Sequence, residues 1–586
     1  MARRKNRLHT ARQAPTNPEV ASADTAIPNR FSFAILLASI CGLAFFLRFI
    51  HVLQTIEVPT LIRLLGDARG YFDWAVRISD GNWYGTETFY QAPLYPYFLA
   101  VLIKIFGPSV TGIRLVQMIL GVAGVALIGL TGRKLFSEKV GLVSALMLAA
   151  YPPAIYYDGI IQKAALATFL LCLVLTACAY LQKDPRWWHA VLAGVSLGML
   201  VLTRENALLW TPIIPLWILL GLRDAKWRRW TLVGCYAGGL AVILLPVAAR
   251  NASLGGEWSP TTFQAGPNFY IGNNRQANGI YVPLIPGRGT PMYERADAER
   301  LAEQTVGHEL SAREVSKFWM SRAWEDIRQA PGRWVQLMVA KTFMVFNRYE
   351  VPDVESMYIF REYSGPLKLS RIWHFGTLCP LGIWGLIATR RNWRQLWLFY
   401  LLLVTMIAAV VLFFILGRYR NPIAILLIPF AAAGVADLIA CVRERRRLIS
   451  AAVVLLLSGI FCNIHVHEER SLQASCYMNM GISACKAGDL PAGIRMLQHA
   501  IDEFPEMAEG YVNLGRAYMM NRQPDLAAQC FQNALILDPR LMGIHYQLGE
   551  ALEYSGKRQQ AIEQYQRALT INPADARAAE ALNRLQ

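Results

Sequence analysis

Residues 31–53 read FSFAILLASICGLAFFLRFIHVL, an apolar run interrupted by one arginine and one histidine. A helix rising ~1.5 Å per residue over such a run covers the ~30 Å of hydrocarbon in a bilayer. The run is too long for a signal-peptide core and lacks a small-residue cleavage site, so it reads as a retained anchor. Apolar runs recur near 110–131, 140–157, 164–181, 189–203, 206–222, 231–249, 372–389, 396–416, 421–441 and 448–465, which predicts about eleven spans. In a chain of 586 residues, 54% of them hydrophobic, this places the protein in a membrane. Only helices satisfy all their backbone groups within one spanning segment, so the predicted fold is all-α.

The formal charge of +17 does not point to nucleic acid, because the cations fall in alternate loops. Arg3, Arg4, Lys5, Arg7 and Arg12 precede the first span and predict a cytoplasmic N-terminus. Arg133-Lys134, Lys183…Arg186, Arg223…Arg229, Arg390-Arg391 and Arg443…Arg447 then fall on the same side, provided Leu94 to Phe106 lies at the interface rather than crossing. Most of the ten cysteines stand alone inside spans and read as small buried hydrophobes. Cys476 and Cys485, nine residues apart along one helix, are ~13 Å from each other and beyond disulfide reach.

This register divides the chain into a basic tail (1–30), a membrane domain (31–466) and a C-terminal array (474–586). Two loops of the membrane domain, about 54–109 and 251–370, fall outside the cytoplasm. The longer one opens with turn signals at Gly255-Gly256, Gly266-Pro267…Asn273-Asn274 and Pro286-Gly287-Arg288-Gly289. Helices are expected from Glu294 to Thr305 and from Ser311 to Ala330, the second with a Ser311-x-x-Glu314 capping box, then an amphipathic helix ending near Asn347. In the array, Gly481, Gly515 and Gly549 recur every 34 residues, as do Pro505, Pro539 and Pro573, with Leu497, Phe531 and Tyr565 in phase. That is the tetratricopeptide period, with copies starting near Ala474, Ala508 and Met542 and a capping helix after Pro573.

Chemistry is sought first at Gly66-Asp67-Ala68-Arg69-Gly70-Tyr71-Phe72-Asp73-Trp74, just beyond the first span. An acid at the lip of a membrane is costly and asks for a function. On a helix Asp67, Tyr71, Trp74 and Ile78 share a face, and a carboxylate there suits a general base. The plainer reading of Gly-Asp before a helix is an N-cap. Asp158 with Lys163, Arg204 in Thr203-Arg204-Glu205-Asn206, and Arg418 with Arg420 in Gly417-Arg418-Tyr419-Arg420-Asn421-Pro422 fall on the same side. Guanidinium groups at span ends grip phosphate oxygens bidentately, or snorkel to lipid head groups.

These motifs, with Ala92-Pro93-Leu94-Tyr95-Pro96, Tyr151-Pro152-Pro153 and Leu202-Thr203-Arg204, resemble the GT-C glycosyltransferases. The likeness is to family 39, with the protein O-mannosyltransferases and the bacterial aminoarabinose transferases of lipid A. The resemblance implies a polyprenyl-phosphate-linked sugar as donor, Asp67 as catalytic base or acceptor-orienting group, and Asp158 with Tyr71 supporting the acceptor or a divalent metal. It assigns the donor phosphate to Arg204, Arg418, Arg420 and Lys163. Two departures stand out: Gln91 replaces a basic residue of the aminoarabinose transferases, and Ala68 replaces an acid of the mannosyltransferases. The long loop, with Asn273, Asn274, Glu350 and Asp353, is expected to cover the site and bind acceptor, with Phe269, Tyr270 and Tyr281 against a sugar.

The expectation is therefore an inverting glycosyltransferase of a bacterial inner membrane, with loops and repeats on the periplasmic side. Its partners are membrane lipids, the lipid-linked donor and a protein recruited by the repeats. Two rivals are a non-catalytic membrane-anchored scaffold and a lipid-linked glycan ligase or polymerase. A transporter is disfavoured by the scarcity of ionisable groups in mid-span.

Overall fold

The computed structural model describes residues 30–586 except 256–257, 286–287, 289–290, 467 and 542. The basic tail before residue 30 and most of the Pro286 to Gly289 turn therefore lie outside the described residues. Every regular element among the described residues is helical. Seven helices are long and apolar enough to cross a membrane, or eight if Glu138–Ala149 and Pro152–Asp158, bent by 58° at Tyr151-Pro152, form one span. By length alone, this stands below the expected eleven. The runs at 189–203 and 206–222 are the shorter helices Trp187–Val201 and Glu205–Gly221. They are cut apart at Thr203-Arg204, where a charged group leaves the apolar run for the site described below.

Ala164–Lys183 and Gly417–Ala440 are the most enclosed spans and form the centre of the bundle, while Ser32–Gln54 and Arg445–Asn463 lie at its edge. Close approach depends on small residues, as in other helix pairs that lack a hydrophobic drive toward one another in lipid. A Cβ at Gly385, for example, would stand 1.8 Å from the Phe430 carbonyl oxygen on the facing helix. Leu94–Phe106 is a 13-residue helix, too short to cross at ~1.5 Å per residue.

In the long loop the Ser311 capping box forms: the Ser311 amide donates to Glu314 at 2.9 Å and the Glu314 amide donates to Ser311 Oγ at 3.4 Å. The stretch read as a turn at Gly266 to Asn274 is instead the helix Ala265–Asn273. Its glycines serve packing rather than turning, since a Cβ at Gly266 would meet the Ser316 carbonyl at 1.9 Å and one at Gly272 the Phe413 carbonyl at 2.3 Å.

The C-terminal array comprises the helix pairs Glu469–Ala487 with Leu490–Glu503, Ala508–Met520 with Pro524–Leu537, and Ile544–Tyr554 with Arg558–Ile571, followed by Ala576–Leu585. The 34-residue phase has a direct cause. Leu497, Phe531 and Tyr565 each lie across Gly481, Gly515 and Gly549, within 2.6–2.7 Å of where a Cβ would stand. The array is not a detached appendage: Glu469–Ala487 packs on the short helix Pro59–Ile62, and Ser483 Oγ donates to the carbonyls of Pro59 and Arg63 at 2.8 and 2.6 Å.

Candidate active site

Asp67 stands in the first turn of the helix Gly66–Ser79, where a carboxylate is favoured by the helix dipole. The plain N-cap reading fails, because Leu65 is the cap and the Asp67 carboxylate goes elsewhere. Gly66 adopts φ +52°, and a Cβ there would lie 2.5 Å from Val354 Cγ2, so only glycine brings this turn against the 353–355 segment. Tyr71, one turn on, is fully buried edge-on to Tyr95, with ring centroids 5.3 Å apart.

Arg418 organises the site. Its Nη1 donates to the Asp67 carboxylate and lies 2.9 Å from Asp353 Oδ2, so one guanidinium serves two acids distant in sequence. Gln91 Nε2 donates to Asp67 Oδ1 at 3.4 Å. Arg204 donates to the backbone carbonyl of Arg418 and lies over the Tyr419 ring at 5.4 Å. Lys163 Nζ is 3.9 Å from Glu205, whose other oxygen accepts from Gln264 at 2.7 Å. The hydroxyl of Tyr71 and Nε of Arg418 and Arg204 are buried without a hydrogen-bond partner among the described residues.

Two recesses meet at the Asp67–Arg418–Asp353 cluster. One is polar and is lined by Asp67, Tyr71, Gln91, Lys163, Gln264, Asn268, Tyr281 and Glu294. The other is lined by Tyr156, Tyr157, Gln162, Glu350, Asp353 and Glu355 together with Asp67 and Arg418.

The electrostatics separate the acids. Burial pushes the Asp67 carboxyl up, but the charge and hydrogen bond of Arg418 outweigh it and hold the group below the usual carboxylate range. Asp353 goes the other way, raised by burial and by Asp67 beyond what Arg418 offsets. Glu294, which accepts from the Tyr281 hydroxyl, is pushed up to about 7 by burial and then by Asp67. Burial likewise raises Glu355 to about 7 and lowers Lys163.

Of the residues expected at the site, Asp67, Tyr71, Lys163, Arg418 and Asp353 line these recesses directly; Glu350 lines one and Arg204 stands behind Arg418. The rest are placed elsewhere. Asp158 lines neither recess: it pairs with Arg48 at 2.7 Å inside the bundle, both side chains almost wholly buried. Arg420 lines neither recess: it lies 2.5 Å from Glu350, donates to the Asn347 carbonyl and stands over the Phe375 ring at 4.5 Å. Asn273 donates to the carbonyls of Phe269 and Leu412 and accepts from Trp334, while Asn274 bonds back to Tyr270; both shape the loop. Phe269 and Tyr270 pack on Trp324 and Trp319, so of the three aromatics only Tyr281 reaches the site.

Gln264, Asn268, Glu294 and Glu355 reach the site without having been singled out. Glu205 offered a signal, as the acid flanking Arg204 in a break between apolar runs. Glu294 offered none, because its approach depends on the path of the loop before it. Among the described residues no group of three or more His, Cys, Asp or Glu side chains is placed to hold a metal ion. The two nearest acids share Arg418 instead.

Residues 90–250 match the family of dolichyl-phosphate-mannose-protein mannosyltransferases, and 508–541 and 543–575 match the tetratricopeptide repeat. No curated protein matches the chain. Among solved structures, the Archaeoglobus fulgidus oligosaccharyltransferase in its apo form is similar at 14% identity and a TM-score of 0.44, over 76% of this chain and 58% of that one. ArnT from Cupriavidus metallidurans, bound to undecaprenyl phosphate, is similar at 13% identity and a TM-score of 0.40, over 92% of this chain and 80% of that one.

Asp158 is separable from the acids that line the recesses. Asp158→Ala leaves Arg48 buried and unpaired and is expected to cost about 3–5 kcal/mol, read as loss of folded protein in detergent. The double change Arg48→Met with Asp158→Leu should recover most of that loss. Failure of the double change to recover folded protein would assign Asp158 more than a pairing role.

Proposed function

We propose that this chain, whose membrane domain carries a mannosyltransferase-family segment and is followed by tetratricopeptide repeats, transfers a sugar from a polyprenyl-phosphate donor to a hydroxyl or amine acceptor. The observation that carries this reading is the single guanidinium of Arg418 placed between two recesses and shared by Asp67 and Asp353. Arg418 holds Asp67 below the usual carboxylate range, which makes it an ionised but weak base. A donor phosphate in contact with Arg418 takes up part of that positive charge, and Asp67 becomes more basic as the donor arrives.

Asp67 then accepts the proton of the acceptor as the acceptor's oxygen or nitrogen bonds to the anomeric carbon. The bond from that carbon to the phosphate oxygen breaks, and the polyprenyl phosphate leaves with the electron pair. Attack from the face opposite the leaving group inverts the anomeric centre. Arg418 and Lys163 receive the charge that develops on the leaving oxygen, the role preorganised cations fill best in a water-poor site. Gln264, Asn268 and Tyr281 supply the donors and acceptors that a sugar's hydroxyls require. The site faces away from the cytoplasm of a bacterial inner membrane, a placement supported by the basic turns at the opposite end of the bundle. The repeats present an acceptor protein or a partner.

Asp67→Asn keeps the shape of the side chain and removes its basicity, and transfer should fall by about 10²- to 10⁴-fold with the protein still inserted. Full activity of Asp67→Asn in a donor-transfer assay would end the general-base role. The charge of Glu294 changes near pH 7. Raising pH through 7 adds negative charge to the recesses and should raise KM for the anionic donor; the rise should shrink in Glu294→Gln, with Glu355, also raised to about 7, supplying the remainder. A reporter enzyme fused after Glu469 should read as non-cytoplasmic, and a cytoplasmic signal would reverse the proposed orientation.

A further inference from the structure

The first tetratricopeptide helix, Glu469–Ala487, does more than begin the array. It lies against the backbone of the segment that carries Asp353. Asn479 Nδ2 donates to the Val354 carbonyl at 3.0 Å, the Cys476 thiol approaches the Asp353 carbonyl at 3.8 Å, and the Tyr477 hydroxyl donates to Glu362 at 2.6 Å. Cys476 and Tyr477 are buried in this contact. On its other face the 353–355 segment touches the turn before Asp67, with Val354 filling the space that a side chain at Gly66 would need. Asp353 and Asp67 are thus held between a repeat helix on one side and Arg418 on the other.

The repeat phase shows what is particular about Asn479. The equivalent positions one and two periods on are Asn513 and Gln547. Asn513 donates to the Glu509 carbonyl of its own helix and approaches the Met478 sulfur of the first repeat helix at 3.4 Å, and Gln547 accepts from Arg516 on the neighbouring helix. Only the first copy of this position reaches out of the array, and it reaches the strap that carries a carboxylate of the site.

We propose that Asn479 is a positioning residue of the candidate active site: through the Val354 carbonyl it fixes the 353–355 strap, and with it the division of Arg418 between Asp353 and Asp67. The first repeat therefore backs the strap from behind without lining either recess. This rests on the glycosyl-transfer reading for its kinetic consequence and on the structure alone for its structural one.

The test uses the full chain with three variants: Asn479→Ala, Asn479→Gln, which keeps an amide donor, and Gln547→Ala as the control at the same repeat position, away from the first repeat helix. Asn479→Ala should speed backbone hydrogen exchange across 353–358 and lower kcat by about ten- to a hundredfold, the scale of an ångström-sized misplacement, with KM for the donor unchanged. Asn479→Gln should recover part of both, and Gln547→Ala should match wild type in both. Unchanged exchange in Asn479→Ala overturns the proposal, and so does faster exchange with wild-type kcat. A wild-type chain inactive with every polyprenyl-phosphate donor tried would sink the glycosyl-transfer reading instead, and exchange alone would then decide whether Asn479 holds the strap.

Discussion

One buried cation holds the site together. Arg418 sits in the first turn of a central span and bonds the carboxylates of Asp67 and Asp353, which come from loops nearly three hundred residues apart. Two carboxylates this close repel each other, and leaving either unpaired beside a membrane is expensive. Sharing Arg418 resolves both costs and leaves an asymmetric pair, one acid held down and the other pushed up. Much of the nearby sequence serves that arrangement: Arg204 braces the Arg418 backbone, Gly66 admits Val354, and Gly417 leaves room for Tyr157 and Glu350. A site built around one shared counter-ion responds to any anion that competes for it.

What the sequence made legible follows the reach of each signal. Apolar runs and the 34-residue phase are local, and each appears as a helix or helix pair. The convergence of Asp67, Lys163, Arg204 and Arg418 was legible because the alternation of basic turns is a long-range constraint written in composition. Function did not follow from residue type. Asp158 and Arg420 look like site groups in the chain, and each is spent on a neighbour, Arg48 and Glu350, that spacing does not reveal. Asn273 and Asn274 fail for a related reason. A buried loop must satisfy its own carbonyls first, and amide side chains are the groups that do so.

The same logic explains Lys341, a buried ammonium that lines neither recess. It donates to the carbonyls of Gly272 and Phe413 at 2.6 and 2.5 Å, and burial lowers it to about 7. Those carbonyls sit where the loop helix Ala265–Asn273 abuts the end of the span before Arg418. The lysine thus joins the loop to the membrane bundle at the point from which Phe414 enters the polar recess. The long loop is anchored by buried polar groups at several places, which suits a cover that defines a recess.

Chain path constrains the number of crossings more firmly than helix length does. Ser32–Gln54 delivers the chain to Pro59 and Arg63, and the repeats bond those same residues through Ser483. The chain therefore returns to the end of the bundle that its first span reached, and the crossings between those two points must be even in number and the total odd. Length alone gives seven or eight, and eight would strand the repeats at the opposite end. The 38-residue run Phe375–Leu412 shows how a length count misses a crossing. Phe375 at its start lies under Arg420, while Phe413 just past its end receives Lys341. Across the turn Arg390–Asn392 the hydroxyls of Thr389 and Tyr400 stand 3.4 Å apart, so the run goes down and comes back. Counting that return together with the bent pair restores an odd total, in keeping with the contact of the repeats at Pro59 and Arg63.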